Sequence, residues 1–268
     1  MNLRAGIQRA LLSTYKRANR SGLLDTRVAE SLFRRSYFTY KRLVEDPFAK
    51  LVKARPELFA GGDVLDVGAN IGYTAQLFAR AVEPPYRVHA FEPEERNFRW
   101  LSRTIERLGD RVVAHQAAVG STEGTIELWN NAANHSDHRI ATTTLRDSVT
   151  GPTQRVPITT IDAHVARSAT PVSFIKIDVQ GFEPAVLDGM RETVARHPRL
   201  HVALELMPAA LEELGFDVDG FVRDLAATFP VIAILERDGS LLPAGADSLV
   251  KAATNNELGY VDLVCSRA

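Results

Sequence analysis

Cysteine is almost missing from this chain: Cys265 is the one thiol in 268 residues. No disulfide can close within the sequence, which excludes a small cross-linked secreted scaffold and makes a reducing, cytoplasmic compartment the expected setting. Lying in the final apolar run, this thiol is expected to be buried and structural. Long hydrophobic runs are missing too. None reaches the roughly 18 residues of a membrane span, and the apolar stretch at Ala10 to Leu12, behind Arg4 and Arg9, is too brief for a secretory signal. A soluble chain with no transmembrane segment is expected. Fixed-period repeats and low-complexity tracts are also lacking. What remains, 45% hydrophobic and 24% charged over 29.5 kDa, suffices for one large core.

Charge of either sign is nearly balanced overall, at −1, but not along the chain. Residues 1–55 hold 13 Lys and Arg against 4 Asp and Glu, and the rest holds 19 against 29, so a basic arm precedes an acidic body. In the arm Leu32, Phe33, Tyr37, Phe38, Leu43, Val44, Phe48 and Leu51 recur at mixed spacings of three and four between basic residues, the pattern of one to three amphipathic helices. We set the boundary of this helical extension at 1–58 and the main domain at 59–268. Packing on the main domain or a second subunit, a lid for an anionic substrate, and attachment to a membrane surface are all open for it, and the first makes a homodimer possible.

Beyond the arm, strand-like and helix-like runs alternate, which produces a mostly parallel α/β sheet covered on both faces, a doubly wound fold. Val64 to Val67 reads as the first strand and 73–81 as its helix. Strands follow at 87–92 and 111–119, with a helix over 94–108 between them stopped at Gly109. A turn leads to 125–129, expected to pair antiparallel. Residues 130–155 are polar and aperiodic, as functional loops often are. Further strands are expected at 156–161, 172–178, 200–206, 231–235 and 260–265. Helices are expected near 162–167, over 181–195, and over 208–228 with an interruption at 215–220. The turn-rich stretch 238–256 is expected to return as a hairpin.

The most telling stretch is Val64 to Gly72, VLDVGANIG: an apolar strand, a carboxylate, a glycine turn and a helix start. Such a turn brings a nucleotide-like ligand to the carboxyl end of a parallel strand, with Gly68 and Gly72 removing side chains that would collide with it. Asn70 stands where the dinucleotide fingerprint has its second glycine, which points away from NAD. Glu92, some 20 residues on at the end of the second strand, is placed to accept both hydroxyls of a ribose. Asp66 either meets an amine of the ligand or caps the turn. The remaining histidines, His89, His115, His164, His197 and His201, lack ligand spacing and read as structural.

Taken in order, Asp66-Val67-Gly68-Ala69-Asn70-Ile71-Gly72, Phe91-Glu92-Pro93, Ala118-Val119-Gly120 with Gly124-Thr125, and Lys176-Ile177-Asp178-Val179-Gln180-Gly181-Phe182-Glu183 resemble the FkbM family of S-adenosylmethionine-dependent methyltransferases, of the Rossmann-like class. The resemblance spans about 61–208. Gln180 departs from it, since the family usually has Glu there. It implies a seven-stranded sheet of order 3-2-1-4-5-7-6 and O-methylation of a sugar or polyketide-like hydroxyl. It also implies S-adenosylmethionine as cofactor, with Gly68, Asn70 and Tyr73 near its methionine part, Glu92 at the ribose and Gln116, Ala117 and Ala118 along the adenine.

Methyl transfer from a sulfonium is an in-line displacement, so positioning supplies much of the acceleration. An alcohol acceptor also has to lose a proton held about as tightly as water's, near pKa 15.7, which calls for a base or a metal. Asp178, at a strand end beside the expected methyl position, is the first candidate for either role. Glu205, ending the next strand, would complete a magnesium pair with it or contact substrate. His135 and His138 offer a second route to a base, and Asp137 and Arg139 in the same loop are placed to hold the acceptor. Glu183 either serves a helix dipole or joins the site. The reading is O-methyl transfer to a sugar, oligosaccharide or glycosylated metabolite. N- or carboxyl-methylation, and a non-catalytic relative binding an anionic partner or membrane through the arm, stay open. No base-flipping signature of the Asn-Pro-Pro-Tyr type occurs, so nucleic acid is not an expected partner.

Overall fold

The structure, a computed structural model, describes residues 35–39, 41, 47–129, 153–168 and 170–267, and at 139–140 the backbone alone. A helical stretch at 35–39 precedes α1 (Phe48–Ala54), after which come β1 (Asp63–Val67), α2 (Tyr73–Ala81), β2 (Val88–Phe91), α3 (Glu95–Ile105) and β3 (Val112–His115). Four strands follow, β4 (Ala118–Val119), β5 (Gly124–Trp129), β6 (Arg139–Ile140) and β7 (Thr153–Thr159). The chain continues through α4 (Ile161–Ala166), β8 (Val172–Ile177), α5 (Glu183–Asp188), α6 (Arg191–Arg196), β9 (His201–Leu206), α7 (Pro208–Glu213) and α8 (Val218–Thr228). It closes with β10 (Val231–Leu235), β11 (Leu241–Pro243), α9 (Ala246–Asn255) and β12 (Val261–Ser266).

The main sheet runs β3-β2-β1-β8-β9-β12-β10-β11. β3, β2, β1, β8 and β9 are parallel, and β12, β10 and β11 join through antiparallel pairings. Seven strands thus take the expected order, but the sheet has eight: β11 forms a hairpin with β10 across a tight turn in which Glu236 N–H donates to Ser240 O. Every residue of β1 and β8 is buried, as central parallel strands covered by helices on both faces require. Against one face Phe59, Phe78 and Phe174 stack with centroids 4.4 to 5.7 Å apart, and Phe48 and Leu51 of α1 pack into the same layer. The described part of the basic arm just before residue 59 is therefore built into this core.

Other expectations need correction. The strand expected at 111–119 is two: β2 ends at Phe91, opposite His115, so β3 runs out of partner there. The chain then crosses to a second sheet, β4-β7-β5-β6, in which β5 is antiparallel to β7 as expected of that segment. The helix expected over 181–195 breaks at Gly189, where a Cβ would stand 2.0 Å from the carbonyl oxygen of Gly120. The second piece, α6, takes its cap from α4, because Asp162 accepts from the N–H groups of Glu192 and Thr193. Within the stretch expected as turns and hairpin, 246–255 is the helix α9, whose Leu249 and Ala253 are fully buried.

Candidate active site

Strand order reverses between β1 and β8, and the carboxyl ends of these strands open into a cavity of about 270 Å³. Its floor is the glycine turn. The N–H groups of Gly68 and Ala69 both donate to Phe91 O, at 3.1 and 2.9 Å, tying the turn to β2. Gly68 has φ +76, and a Cβ on it would lie 1.9 Å from the carbonyl oxygen of Asp178. Gly72, at φ +88, would push a Cβ to 2.8 Å from Leu101 on α3. The left-handed backbone at both positions, and the close approach of Asp178 O at Gly68, give these glycines a reason within the fold itself, beside the one a ligand would supply.

Asn70 carries the turn through a left-handed conformation, φ 50, that points its N–H at Glu92 Oε2, 2.9 Å away. Glu92 Oε1 accepts from Glu94 N–H at 3.0 Å. Only 5% exposed, this carboxyl is pushed up to about 8 by burial, against the pull of its two N–H donors. The helix after it is capped by Glu94, whose side chain accepts from Asn97 N–H at 2.7 Å, so Glu92 is not the cap of α3.

A chain of charges runs from the interior to the cavity. Asp66 is fully buried, does not line the cavity, and accepts from Thr74 Oγ1 of α2 at 2.7 Å. Lys176 Nζ stands 3.6 Å from Asp66 and 3.2 Å from Asp178 Oδ2. Burial raises the Asp66 pKa more than the ammonium lowers it. At Asp178, whose side chain is a third exposed, burial is outweighed by Lys176 and Lys41, and the pKa falls below the usual carboxylate value. Gln180, left-handed at φ 55, donates its amide to Asp178 Oδ1 at 3.0 Å and reaches Glu205 Oε1 at 3.4 Å. Burial, with Asp178, Asp262 and Glu183 nearby, drives Glu205 well above the usual value. Glu183 is itself raised to about 7 by burial and accepts from Val179 N–H, bracing the loop that carries Gln180.

Gly68, Asn70, Tyr73, Glu92, Ala117, Ala118, Asp178 and Glu205 all line the cavity. Gln116 is exposed and does not. His135, Asp137 and His138 lie outside the described residues, and Arg139 is placed by its backbone alone, opposite Trp129. Lys176 enters the sequence reading only as part of a motif and without a role, although a lysine two residues before Asp178 in an otherwise apolar strand needs a buried carboxylate on its own face. Asp262 and Lys41 had no local signal. The first reaches Glu205 through antiparallel register between β9 and β12, and the second comes from the arm with Tyr37, while Phe38 packs 5.6 Å from Tyr73.

Residues 66–229 match the methyltransferase FkbM domain, and the chain belongs to that family of S-adenosylmethionine-dependent methyltransferases. No curated protein matches it. Among solved structures it is similar to an O-methyltransferase from Bacillus cereus in complex with SAH, at 16% identity over 95% of this chain and 100% of that one, TM-score 0.47. It is also similar to the O-methyltransferase TomG from Streptomyces achromogenes, at 12% identity over 83% and 80%, TM-score 0.46. A SAM-dependent O-methyltransferase from Thermotoga maritima stands at 13% identity over 84% and 67%, TM-score 0.44. These likenesses are distant, and nothing of those proteins' acceptors passes to this chain. The cavity suits the cofactor. Two N–H groups and the Asn97 side chain already donate to Glu92, and its carboxylate keeps a lone pair for a ribose hydroxyl.

Proposed function

We propose that the chain transfers the methyl group of S-adenosylmethionine to a hydroxyl of a sugar, oligosaccharide or glycosylated metabolite. The observation that carries this reading is geometric: Asp178 and Glu205 stand on one wall of the cavity, bridged by the Gln180 amide, which donates to Asp178 Oδ1 at 3.0 Å and reaches Glu205 Oε1 at 3.4 Å. A carboxylate held by an ammonium and an amide at a strand end is a group placed to accept a proton from a bound hydroxyl. In this reading Asp178 accepts the hydroxyl proton as the oxygen attacks the methyl carbon. S-adenosylmethionine, when bound, would supply the methyl group and keep the electron pair of the broken C–S bond on its sulfur, so the hydroxyl proton is what the protein has to take up. Glu205 hydrogen-bonds a second hydroxyl of the acceptor, and Gln180 fixes the spacing of the two carboxyls.

The polar wall matches a polyhydroxylated acceptor better than an apolar one. Tyr37 and Lys41 reach this wall from the basic arm, which supports a lid role for 1–58. Gly68, Asn70 and Tyr73 would hold the methionine part of the cofactor, Glu92 the ribose, and Ala117 and Ala118 the adenine edge. Magnesium fits poorly. Asp178 is already engaged by the Lys176 ammonium and the Gln180 amide, whereas magnesium demands a near-octahedral shell of oxygens. No step is therefore routed through a metal.

The test is a methyl-transfer assay over a panel of sugars, glycosides and matched amines and carboxylic acids, with and without EDTA. Turnover of a glycoside hydroxyl unaffected by the chelator is expected. Turnover confined to amines or carboxylates, or abolished by EDTA and restored by magnesium, would overturn the acceptor or the metal-free reading respectively.

A further inference from the structure

Three histidines that the sequence scatters over 76 positions meet on one face of the sheet. His89 comes from the middle of β2, His115 from the end of β3, and His164 from α4. One ring nitrogen from each lies within 4.8 Å of the others. Ring centroids are 5.3 Å apart for His89 and His115, 4.7 Å for His89 and His164, and 5.0 Å for His115 and His164. Two imidazole nitrogens bound about 2.0–2.1 Å from one tetrahedral zinc stand about 3.4 Å apart, with ring centres about 5 Å apart. His89 Nδ1 and His115 Nε2 are hydrogen-bonded at 3.1 Å, near that spacing, and a bound ion would take the place of the proton between them, which His115 would carry on Nδ1.

We propose that His89, His115 and His164 form a binding site for a divalent transition ion, best matched by zinc, separate from the cofactor cavity. Asp63 Oδ2 lies 3.5 Å from His89 Nε2, which keeps the proton on that nitrogen and turns the Nδ1 lone pair toward His115. This carboxylate–histidine arrangement is how proteins orient imidazole ligands. Asp63 is itself held by Arg87 N–H and the Thr170 hydroxyl, so its position is fixed. Phe91 closes the site, stacking on His115 at 4.7 Å and meeting His164 edge-on at 5.0 Å.

Three protein nitrogens leave a fourth position for water. The ion would tie β2, β3 and α4 together, and it would do so next to the cofactor: the carbonyl of His115 accepts the N–H of Glu92 at 3.1 Å. The proposal does not depend on the acceptor chosen above.

The full chain, stripped with chelator and dialysed, is titrated with zinc and with cobalt(II), and the zinc complex is read by X-ray absorption. One equivalent bound, an intense visible cobalt spectrum of tetrahedral type, and a shell of imidazole nitrogens at about 2.0–2.1 Å are expected. H89Q and H164Q should each weaken zinc by more than about a hundredfold, with circular dichroism unchanged, and H197Q should bind as the parent does. No stoichiometric zinc at micromolar concentration would overturn the proposal. So would an all-oxygen shell, which locates the ion at the acidic wall, and this readout needs no variant to fold.

Discussion

Replacing Glu92 by glutamine keeps the side chain's shape and removes its capacity to ionise. The carboxyl has its two main-chain donors, Asn70 N–H and Glu94 N–H, on separate oxygens, so one of them must face the new amide NH2. A buried donor left without an acceptor costs about 1–3 kcal/mol. In the ligand-bound protein the loss is larger. Hydrogen bonds to a charged group contribute about 1.5–3 kcal/mol each, and the ribose loses one, so E92Q should bind S-adenosylmethionine about 10- to 100-fold more weakly. A pH signature separates this from a packing defect. With the carboxyl at about 8 in the free protein, about a tenth of the molecules carry the carboxylate at pH 7, and affinity for a diol should rise about tenfold between pH 7 and pH 9. Stability moves the other way. Because the folded-state value lies above the unfolded one, the native state holds the extra proton, and stability present below about 4.5 is lost as pH climbs toward 8. The whole window is worth on the order of 5 kcal/mol at most. Isothermal titration with the cofactor at pH 6 to 9, beside urea denaturation over the same range, reads both trends. An E92Q protein that binds within threefold of the parent, with the parent's affinity flat in pH, would refute the ribose role and the charge argument together.

Asp178→Ala should lower turnover by about 10²- to 10⁴-fold, the usual worth of a general base, while calorimetry finds cofactor affinity within threefold. Turnover that survives the change would move the base to His135 or His138. Gly68→Ala forces a left-handed backbone and a Cβ against Asp178 O, 1.9 Å away, and thermal unfolding should show a loss of about 2–5 kcal/mol. An unchanged melting temperature would mean the turn is not packed as described. Lys176→Met leaves Asp66 buried without its cation, at a cost of about 3–5 kcal/mol near neutrality. Since Asp66 can escape by taking up a proton, urea denaturation should show a smaller loss at pH 5 than at pH 8, and equal losses would sink that account.

Local chemistry made much of the molecule legible in its sequence. The run Val64 to Gly72 contains its strand, turn and helix start within nine residues, and α2 begins and ends where the periodicity places it. Features that depend on distant register were not legible. Nothing near 115 shows that β2 stops at Phe91 and releases β3, and nothing near 189 shows that Gly120 will press against the helix there. The site divides along the same line. Glu92 and Asp178 announce themselves because each ends an apolar strand with a carboxylate. Asp262 reaches Glu205 only across an antiparallel pair whose members lie far apart in sequence, and the three histidines converge only once two parallel strands and a covering helix are in register.

The close approach of Gly68 to the carbonyl of Asp178 also bears on descent. A relative that had given up methyl transfer would be released from keeping Asp178's carboxylate, but not from keeping Gly68, because the main chain beneath that carboxylate is the same in any side-chain variant. The glycine signature would outlive the activity it accompanies. On the role proposed for Asp178, the mark of a working enzyme among relatives of this chain is the side chain at 178, read together with the one at 205, and not the glycine turn.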